Sequence, residues 1–184
     1  MFFAYLLAFV PVFLLVLLLL GYAAPRRYQV KVMRTLPAPP ERVWTYLADP
    51  ERFPHWFPYV SACTHSGGPA RGVGQRRRVV LDLEGKPGQR EEEASRWDEP
   101  RVLELQHLWE THEGRRVPWD YARSEFRLAP AEGGTSMTGV LWFSGRGMMG
   151  RIFALLTIRK RHERDFRLAL AHLEKRLREE SYPS

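Results

Sequence analysis

The chain has 184 residues, enough for one domain of ordinary size with little room for a second. Lys and Arg number 28 against 21 Asp and Glu, a formal net charge of +7, so either nucleic acid or an anionic lipid surface fits the charge. A single cysteine, Cys63, excludes an intramolecular disulfide and favours a reducing compartment.

The chain begins with an apolar segment, residues 1–24, that contains no charged side chain. A helix of about 20 apolar residues can cross a bilayer, so this segment predicts a transmembrane span. Pro11 is expected to bend the helix without preventing its insertion. The alternative is a cleaved signal peptide, because residues 21–23 offer a small-x-small site. The length of the apolar run and the lack of a basic residue before it argue against that alternative.

Basic residues near this segment follow it and never precede it: Arg26, Arg27, Lys31 and Arg34. The positive-inside rule therefore predicts an external N terminus and a cytoplasmic domain. Residues 25–27 form a short tether, residues 28–180 form the domain, and residues 181–184 form a tail. If the apolar segment is instead a signal peptide, the domain is secreted or periplasmic.

The remaining elements are predicted from apolar periodicity and turn residues. Residues 28–36 alternate as a strand, Pro40 opens a short helix that ends near Asp49, and Asp49 caps a second short helix. Six further strands are separated by glycine-rich or polar turns, at residues 59–66, 75–84, 89–97, 102–110, 119–128 and 135–144. Residues 147–180 lack proline and carry an apolar stripe, which predicts one long amphipathic helix.

This order of elements predicts an α+β fold. About seven strands, joined by short turns, form a curved antiparallel sheet, and the long C-terminal helix lies across its concave face. That arrangement buries the apolar stripes of the strands and of the helix together.

Three segments carry a resemblance to a known family: "PPERVWTYLADPERFPHWFPYV", "WDEPRVLEL" and "GGTSMTGVLWF". On these segments residues 28–180 resemble the SRPBCC superfamily, which includes polyketide cyclases, START lipid-transfer domains and birch-pollen-allergen-like proteins. The resemblance implies a helix-grip fold around an apolar cavity that holds a lipid, a polyketide or a similar ligand. The apolar segment at the N terminus lies outside it.

No catalytic or cofactor motif stands out in the sequence. Residues 145–150, "GRGMMG", have the glycine spacing of a dinucleotide loop, but they follow the last strand of an antiparallel meander and predict a strand-to-helix turn. The six histidines include no HExxH pair and no Cys/His cluster, so we expect no metal and no cofactor. Cys63 is expected to be a packing residue.

Two basic clusters, residues 76–78 and 159–164, have three interpretations: a solvated face, attraction to anionic lipid, or nucleic-acid binding. Strand and helix periods spread each cluster over different faces, and no motif combining basic and aromatic residues accompanies them. Anionic lipid is therefore the favoured partner for these clusters over nucleic acid.

Candidate ligand contacts lie on the strands. On residues 102–110 the alternation predicts that Leu105, His107 and Trp109 face inward, and Phe126 is assigned to the same cavity. His107 is then either a buried histidine bonded to a neighbour, or a polar contact or general acid/base in the cavity.

The C-terminal helix supplies two charged candidates. At about 100° per residue, Arg159 and Glu163 fall near Ile152 and Leu170 in the apolar stripe. They either satisfy each other on the buried face or line a polar end of the cavity that receives a ligand head group.

The segment "ADPERFPHWFPYV" places four aromatic residues in a short, proline-broken stretch: Phe53, Trp56, Phe57 and Tyr59. We expect these rings to close one end of the cavity, partly in its wall and partly at its mouth. The alternative is that they only fill the core.

These observations predict a membrane-anchored domain that binds or transfers a hydrophobic small molecule, such as a lipid, an isoprenoid or quinone, or a polyketide-like compound. One alternative is a cyclase- or dehydratase-like enzyme in which His107 and Glu163 act on an enolisable carbonyl. Another is an interaction protein with a filled core and no catalytic role.

Overall fold

The computed structural model describes residues 2–83, 85–117 and 119–181. Its first half contains helix α1 (Phe2–Ala23), strand β1 (Tyr28–Leu36), helix α2 (Pro40–Ala48) and a 3₁₀ turn (Pro50–His55). Seven strands follow: β2 (Val60–Gly67), β3 (Arg76–Asp82), β4 (Pro87–Asp98), β5 (Val102–His112), β6 (Arg115–Arg116), β7 (Trp119–Ala131) and β8 (Gly134–Gly145). The chain ends with helix α3 (Gly147–Phe153), a π turn (Ala154–Ile158) and helix α4 (Arg159–Ser181). Residues 182–184 of the predicted tail lie outside the described residues.

The strands form one antiparallel sheet in the order β1-β8-β7-β5-β4-β3-β2, and the two-residue strand β6 pairs with β5. Helix α4 packs along β1, and α2 with the 3₁₀ turn covers the other end of the same face. The α+β class, the curved antiparallel sheet and the long C-terminal helix are therefore confirmed. The short strand β6 is an addition to the predicted set.

The two short helices begin where the sequence predicts, for identifiable reasons. Pro40 occupies the first turn of α2, where its missing N–H costs nothing. The Asp49 side chain accepts a hydrogen bond of 2.9 Å from the Glu51 N–H and so caps the 3₁₀ turn. Trp56 follows and its indole Nε1 donates to the Tyr46 carbonyl at 3.1 Å, which fixes the turn against α2.

The apolar segment at the N terminus forms α1, and the end of α1 packs on α3. A Cβ atom on Gly21 would lie 2.0 Å from Cγ of Met148, so a larger residue here would displace the Met148 side chain. Across the part of the chain that the structure describes, no helix is long and apolar enough to cross a membrane. The predicted transmembrane span is thus not supported by the structure.

The core lies between the sheet and its helices. Trp44 on α2 packs edge-on against Trp97 on β4 at 5.4 Å between ring centroids, and Leu173 and Leu177 of α4 are fully buried. Cys63 is buried in the same cluster, and this burial raises the pKa of its thiol to about 11. The thiol is therefore uncharged at neutral pH.

The glycines of residues 145–150 serve a close backbone contact. A Cβ atom on Gly145 would lie 2.3 Å from the Gly150 carbonyl, so β8 and α3 can touch only if residue 145 is glycine. Gly147, with a φ of 62°, opens α3 in the left-handed region. The predicted strand-to-helix turn is correct.

The C-terminal helix is not continuous over residues 147–180 as predicted, because a π turn interrupts it at Ala154–Ile158. Hydrogen bonds from i to i+5 use more residues per turn than the 3.6 of an α-helix. One angular period therefore cannot be extended from Ile152 to Leu170. The π turn therefore changes the orientation of α4 relative to α3.

Candidate functional site

A cavity of about 260 Å³ lies between the inner face of the sheet and the C-terminal helix. Its apolar wall consists mainly of aromatic rings and leucines: Phe53, Phe57, Leu81, Phe126, Leu141, Phe143 and Phe166. The ring of Phe166 on α4 packs edge-on to Phe57 at 5.6 Å and stacks on Phe126 at 6.1 Å. The helix and the sheet thus close this wall from opposite sides.

The opposite wall is built from charged side chains on β3, β4 and β5. Glu92 on β4 is at its centre with a side chain that is 1% exposed. Arg77 Nε donates to Glu92 Oε2 at 2.6 Å, and Arg90 Nε lies 2.6 Å from Oε1. Glu92 therefore pairs with two guanidinium groups, and Glu110, whose Oε2 lies 3.9 Å from Arg90 Nη1, supplies the second negative charge that offsets the cost of burying them.

Arg77 is fixed by two further contacts. Its Nη1 donates to the Leu47 carbonyl at 3.3 Å, and its guanidinium lies over the Phe53 ring at 4.3 Å from the centroid. The polar wall is therefore tied to α2 and to the 3₁₀ turn, and its charged groups are held in place without a ligand.

The charge of Glu92 is a consequence of these contacts. Burial by itself raises the pKa of this carboxyl, but the positive charges of Arg77 and Arg90 outweigh that effect and lower it to about 2. Glu92 is consequently ionised at neutral pH.

His107 on β5 lies beside Glu92. Its Nε2 is 3.0 Å from Ser124 Oγ and 3.3 Å from Glu92 Oε1. Burial, reinforced by the charge of Arg90, lowers the pKa of His107 to about 4, so the imidazole is neutral at pH 7. Because an ionised carboxylate only accepts hydrogen bonds, we assign the ring proton to Nε2.

Ser124, His107 and Glu92 do not form a nucleophilic triad. In such a triad the serine and the carboxylate lie on opposite ring nitrogens. Here both are near Nε2, and Nδ1 has no hydrogen-bond partner among the described residues. The arrangement can bind a polar group or exchange a proton, but it does not activate Ser124.

A β-bulge at Leu108 changes the facing of the residues after His107. Glu92 pairs with His107 and Glu91 pairs with Trp109, so Leu108 is an extra residue without a partner on β4. The alternation of β5 reverses at this point. Glu110 lines the cavity with a side chain that is 10% exposed, 2.8 Å from His112 Nε2.

The prediction that Trp109 faces the cavity is therefore wrong. Its indole Nε1 donates to Glu91 Oε2 at 2.7 Å, and the residue lines a smaller depression of about 110 Å³. Glu110 takes the inward position. Although its burial opposes ionisation, the hydrogen bond from His112 and the charge of Arg90 lower the pKa of Glu110.

The other predicted strand and loop residues divide into two groups. Phe53, Phe57, Tyr59, His107 and Phe126 all line the cavity. Trp56 and Leu105 are each 1% exposed and lie in the core instead. Tyr59 has a φ of 63°, a conformation that is rare for non-glycine residues and is often found at binding sites.

Arg159 and Glu163 are not on the buried face, contrary to the prediction. Arg159 is exposed, and Glu163 accepts a hydrogen bond from Arg167 Nη2 at 2.6 Å, one turn later on the surface. The π turn shifts the orientation of Arg159 relative to Ile152, whereas Glu163 shares the continuous helix α4 with Leu170 and lies about 60° from Phe166, at the edge of its buried face.

Three neighbouring residues of α4 reach the cavity in their place: Arg161, His162 and Asp165. Burial lowers the pKa of His162 to about 4, so this second imidazole is also neutral at pH 7. Its ring packs edge-on against Phe143 at 5.2 Å.

The sequence contained a signal for part of the polar wall. Arg77 occupies the same strand register as Val79 and Leu81, which are core residues. A charged residue in an apolar register must be paired or functional. Glu110 gave no such signal, because the bulge that turns it inward is not visible in the alternation. Among the described residues, no group of three His, Cys, Asp or Glu side chains is placed to hold a metal ion.

Comparison with known proteins identifies a family model that matches most of the chain. A family model described as polyketide cyclase / dehydrase and lipid transport matches residues 27–178. No curated protein matches the sequence.

Solved structures share the fold at low sequence identity. The Zhui aromatase/cyclase from Streptomyces sp. R1128 is 18% identical, with a TM-score of 0.71 over 85% of this chain and 97% of that one. A START superfamily protein from Mycobacterium smegmatis is 15% identical, with a TM-score of 0.65 over 82% and 97%. A protein from Thermus thermophilus is 23% identical, with a TM-score of 0.66 over 84% and 100%. With most of its length matched by the family model, the chain belongs to the polyketide cyclase / dehydrase and lipid transport family.

Proposed function

We propose that the domain binds a compact, ring-containing apolar molecule with one polar end. The observation that carries this proposal is the division of the cavity: aromatic rings on one wall, and buried ionised and neutral polar groups on the other. The apolar body of the ligand packs against Phe57, Phe126 and Phe166. Its polar end lies near His107 and Ser124.

The size of the cavity narrows the ligand class. An apolar cavity of about 150 Å³ holds a benzene molecule, and pockets for drug-sized ligands span about 300–1,000 Å³. A volume of about 260 Å³ therefore suits two fused rings or a short branched chain. A whole two-chain phospholipid does not fit this volume.

Native mass spectrometry of the full chain in mild detergent tests the proposal, followed by extraction and identification of any bound molecule. Titration with 2-naphthol, monitored by tryptophan fluorescence, supplies a defined probe. Ala122→Phe fills the cavity, because Ala122 lines it and is buried. We expect this variant to lose the ligand.

The matched control is Ala129→Phe, an exposed position on the same strand. It should bind the probe as the unmodified protein does. Equal binding by the Ala122→Phe variant would show that the ligand lies outside the cavity and would overturn the proposal.

A second candidate function is proton transfer at an enolisable carbonyl, as in a cyclase or dehydratase. It is supported by the neutral imidazole of His107: with the ring proton on Nε2, facing Glu92 at 3.3 Å, Nδ1 has the free lone pair that can accept a proton, and a pKa of about 4 makes it a weak base at pH 7. Glu163, the partner predicted from sequence, is on the surface and has no part in this proposal.

Exchange of the α-protons of 2-tetralone in D₂O, followed by NMR, tests this activity. The base removes a proton from the carbon next to the carbonyl, and the enolate takes up deuterium from the solvent. Acceleration that is lost in His107→Phe and kept in His172→Phe, an exposed histidine, supports catalysis. Equal exchange rates in the unmodified protein, His107→Phe and His172→Phe would contradict catalysis by His107 and leave ligand binding as the proposed function.

We further propose that residues 1–24 attach the chain to a membrane, with the domain in the cytoplasm. The support is the absence of charge in this segment and the exposure of large apolar side chains along α1, among them Phe9, Phe13, Leu15 and Tyr22. Alkaline extraction of cell membranes tests attachment, and protease protection of the domain tests its side. Release of the chain by carbonate would contradict the proposal.

A further inference from the structure

Helix α3 and the π turn carry an unpartnered apolar stripe. Met149, Phe153 and Leu156 are 62%, 48% and 64% exposed and follow one another at helical spacing. We call these three residues the portal stripe. Large apolar side chains that are grouped on a surface in this way mark an interaction site.

The portal stripe adjoins the opening of the cavity. Phe153 belongs to the stripe and also lines the cavity, and among the described lining residues it alone is exposed. The lining of the cavity therefore reaches the protein surface at Phe153, within the portal stripe. Whatever covers the stripe also meets a ligand as it enters or leaves.

The stripe is continuous with the apolar surface of α1. Gly21, near the end of α1, contacts Met148 and Ile152 on α3. Leu18, three residues before Gly21, and Tyr22, directly after it, are both exposed. Two apolar surfaces, one along α1 and one on the portal stripe, thus meet at this contact.

The segments of the chain that carry these two surfaces contain charged residues of one sign. Residues 1–40 and 133–162 contain no Asp or Glu. The basic residues within these ranges are Arg26, Arg27, Lys31, Arg34, Arg146, Arg151, Arg159, Lys160 and Arg161. An apolar stripe carried on segments whose charged residues are all basic is complementary to a bilayer that contains anionic lipid.

We infer that the portal stripe docks on an anionic lipid bilayer, so that the cavity opens toward the lipid and exchanges its ligand there past Phe153. This inference rests on the proposed function, because it assigns a source and a destination to the cavity ligand. The inference concerns a surface that lies on the bilayer. It does not require any helix to cross the bilayer.

The first test measures the depth of the stripe in the full chain. A nitrobenzoxadiazole dye is attached to Leu156→Cys in a Cys63→Ala background, and the protein is reconstituted in phosphatidylcholine vesicles with or without phosphatidylglycerol. Val73→Cys is the matched control, because Val73 is 62% exposed on the loop between β2 and β3, at the opposite end of β3 from the cavity-lining Leu83.

We expect a blue-shifted emission and quenching by lipid-attached nitroxide at position 156 in anionic vesicles, with neither at position 73. A dye at position 156 that is as aqueous as the dye at position 73 overturns the inference. If the dye at position 156 is buried equally in vesicles of phosphatidylcholine alone, docking does not depend on anionic lipid, and that part of the inference is wrong.

The second test separates this inference from the proposed function. Leu156→Glu places a charge in the stripe without altering the lining of the cavity, and Leu168→Glu makes the same change at an exposed position of α4. Leu156→Glu should slow transfer of a bound fluorescent probe to anionic vesicles at least tenfold and leave its affinity unchanged, whereas Leu168→Glu should do neither. An unchanged transfer rate with intact binding contradicts docking alone, and a cavity that binds nothing contradicts the proposed function.

Discussion

Nε2 of His107 lies 3.3 Å from Oε1 of Glu92, and both side chains are buried in the polar wall of the cavity. The carboxylate is ionised because Arg77 and Arg90 flank it, and the imidazole is neutral because it is buried beside a cation. The pair is therefore preorganised in one charge state at neutral pH, and a ligand meets it without a preceding proton transfer.

Glu92→Gln tests how far this carboxylate holds the polar wall together. The change leaves Arg77 without its buried counter-charge and leaves Arg90 with only the more distant Glu110, 3.9 Å away, and removing one partner of a buried ion pair costs about 3–5 kcal/mol. We expect a loss of about this size in the free energy of unfolding, measured with urea. Glu93→Gln is the control, because Glu93 forms an exposed pair with Arg76, which is worth at most about 1 kcal/mol. Similar losses in both variants would contradict the role assigned to Glu92.

The pH dependence of stability should reflect the buried histidines. The pKa of His107 falls from an ordinary value of 6.5 to about 4 in the folded chain, so folding favours the neutral form. Stability from this group is full above pH 6.5 and is lost as the pH falls toward 4. At pH 5 the loss is about 2 kcal/mol, since each pKa unit corresponds to 1.36 kcal/mol.

Urea unfolding at pH 7 and pH 5 measures this effect, with His107→Phe as the variant that removes it. The variant should show a smaller difference between the two pH values than the unmodified chain. His162 is expected to contribute in the same direction, because its pKa is also lowered to about 4. Glu92 acts at lower pH, between 4.5 and about 2, and does not affect this comparison. Identical pH differences in both proteins would exclude a folded-state shift of the His107 pKa.

Most of the sheet could be predicted because its strands alternate and its turns contain glycine. His107 could be placed inside on the same basis, since it shares the register of Leu103 and Leu105. The bulge at Leu108 could not, because one inserted residue leaves no local signal in a polar strand. Trp109 and Glu110 were therefore interchanged.

The predicted orientation of the C-terminal helix was also wrong. A helical period predicts orientation only while the hydrogen bonding stays α-helical, and the π turn at Ala154–Ile158 separates Arg159 from Ile152 but does not separate Glu163 from Leu170. Arg161 and Asp165 line the cavity where Arg159 and Glu163 had been expected. The errors at Trp109 and Arg159 occur next to irregular backbone, which is common at functional sites.

Gly145→Ala should disturb the junction between β8 and α3. The new Cβ atom would lie 2.3 Å from the Gly150 carbonyl carbon, so α3 must move away from the strand. We expect a loss of about 1–3 kcal/mol in the free energy of unfolding, the range for overpacking. Gly67→Ala is the control, since its Cβ atom would have only the Arg76 side chain at 3.8 Å as a neighbour. A stable Gly145→Ala variant would show that this contact does not hold α3 in place.

Phe57→Ala should change which ligands the cavity accepts. Phe57 lines the cavity and contacts Phe53 and Phe166, so truncation extends the cavity toward the 3₁₀ turn. A probe of two fused rings loses contact area and should bind about tenfold more weakly, while a probe of three fused rings gains space and should bind more tightly. Isothermal titration calorimetry of 2-naphthol and 9-phenanthrol, each with the unmodified protein and with Phe57→Ala, measures these two changes in affinity. Unchanged affinities for both probes would place the ligand away from Phe57, and parallel losses for both would indicate a collapsed cavity in the variant.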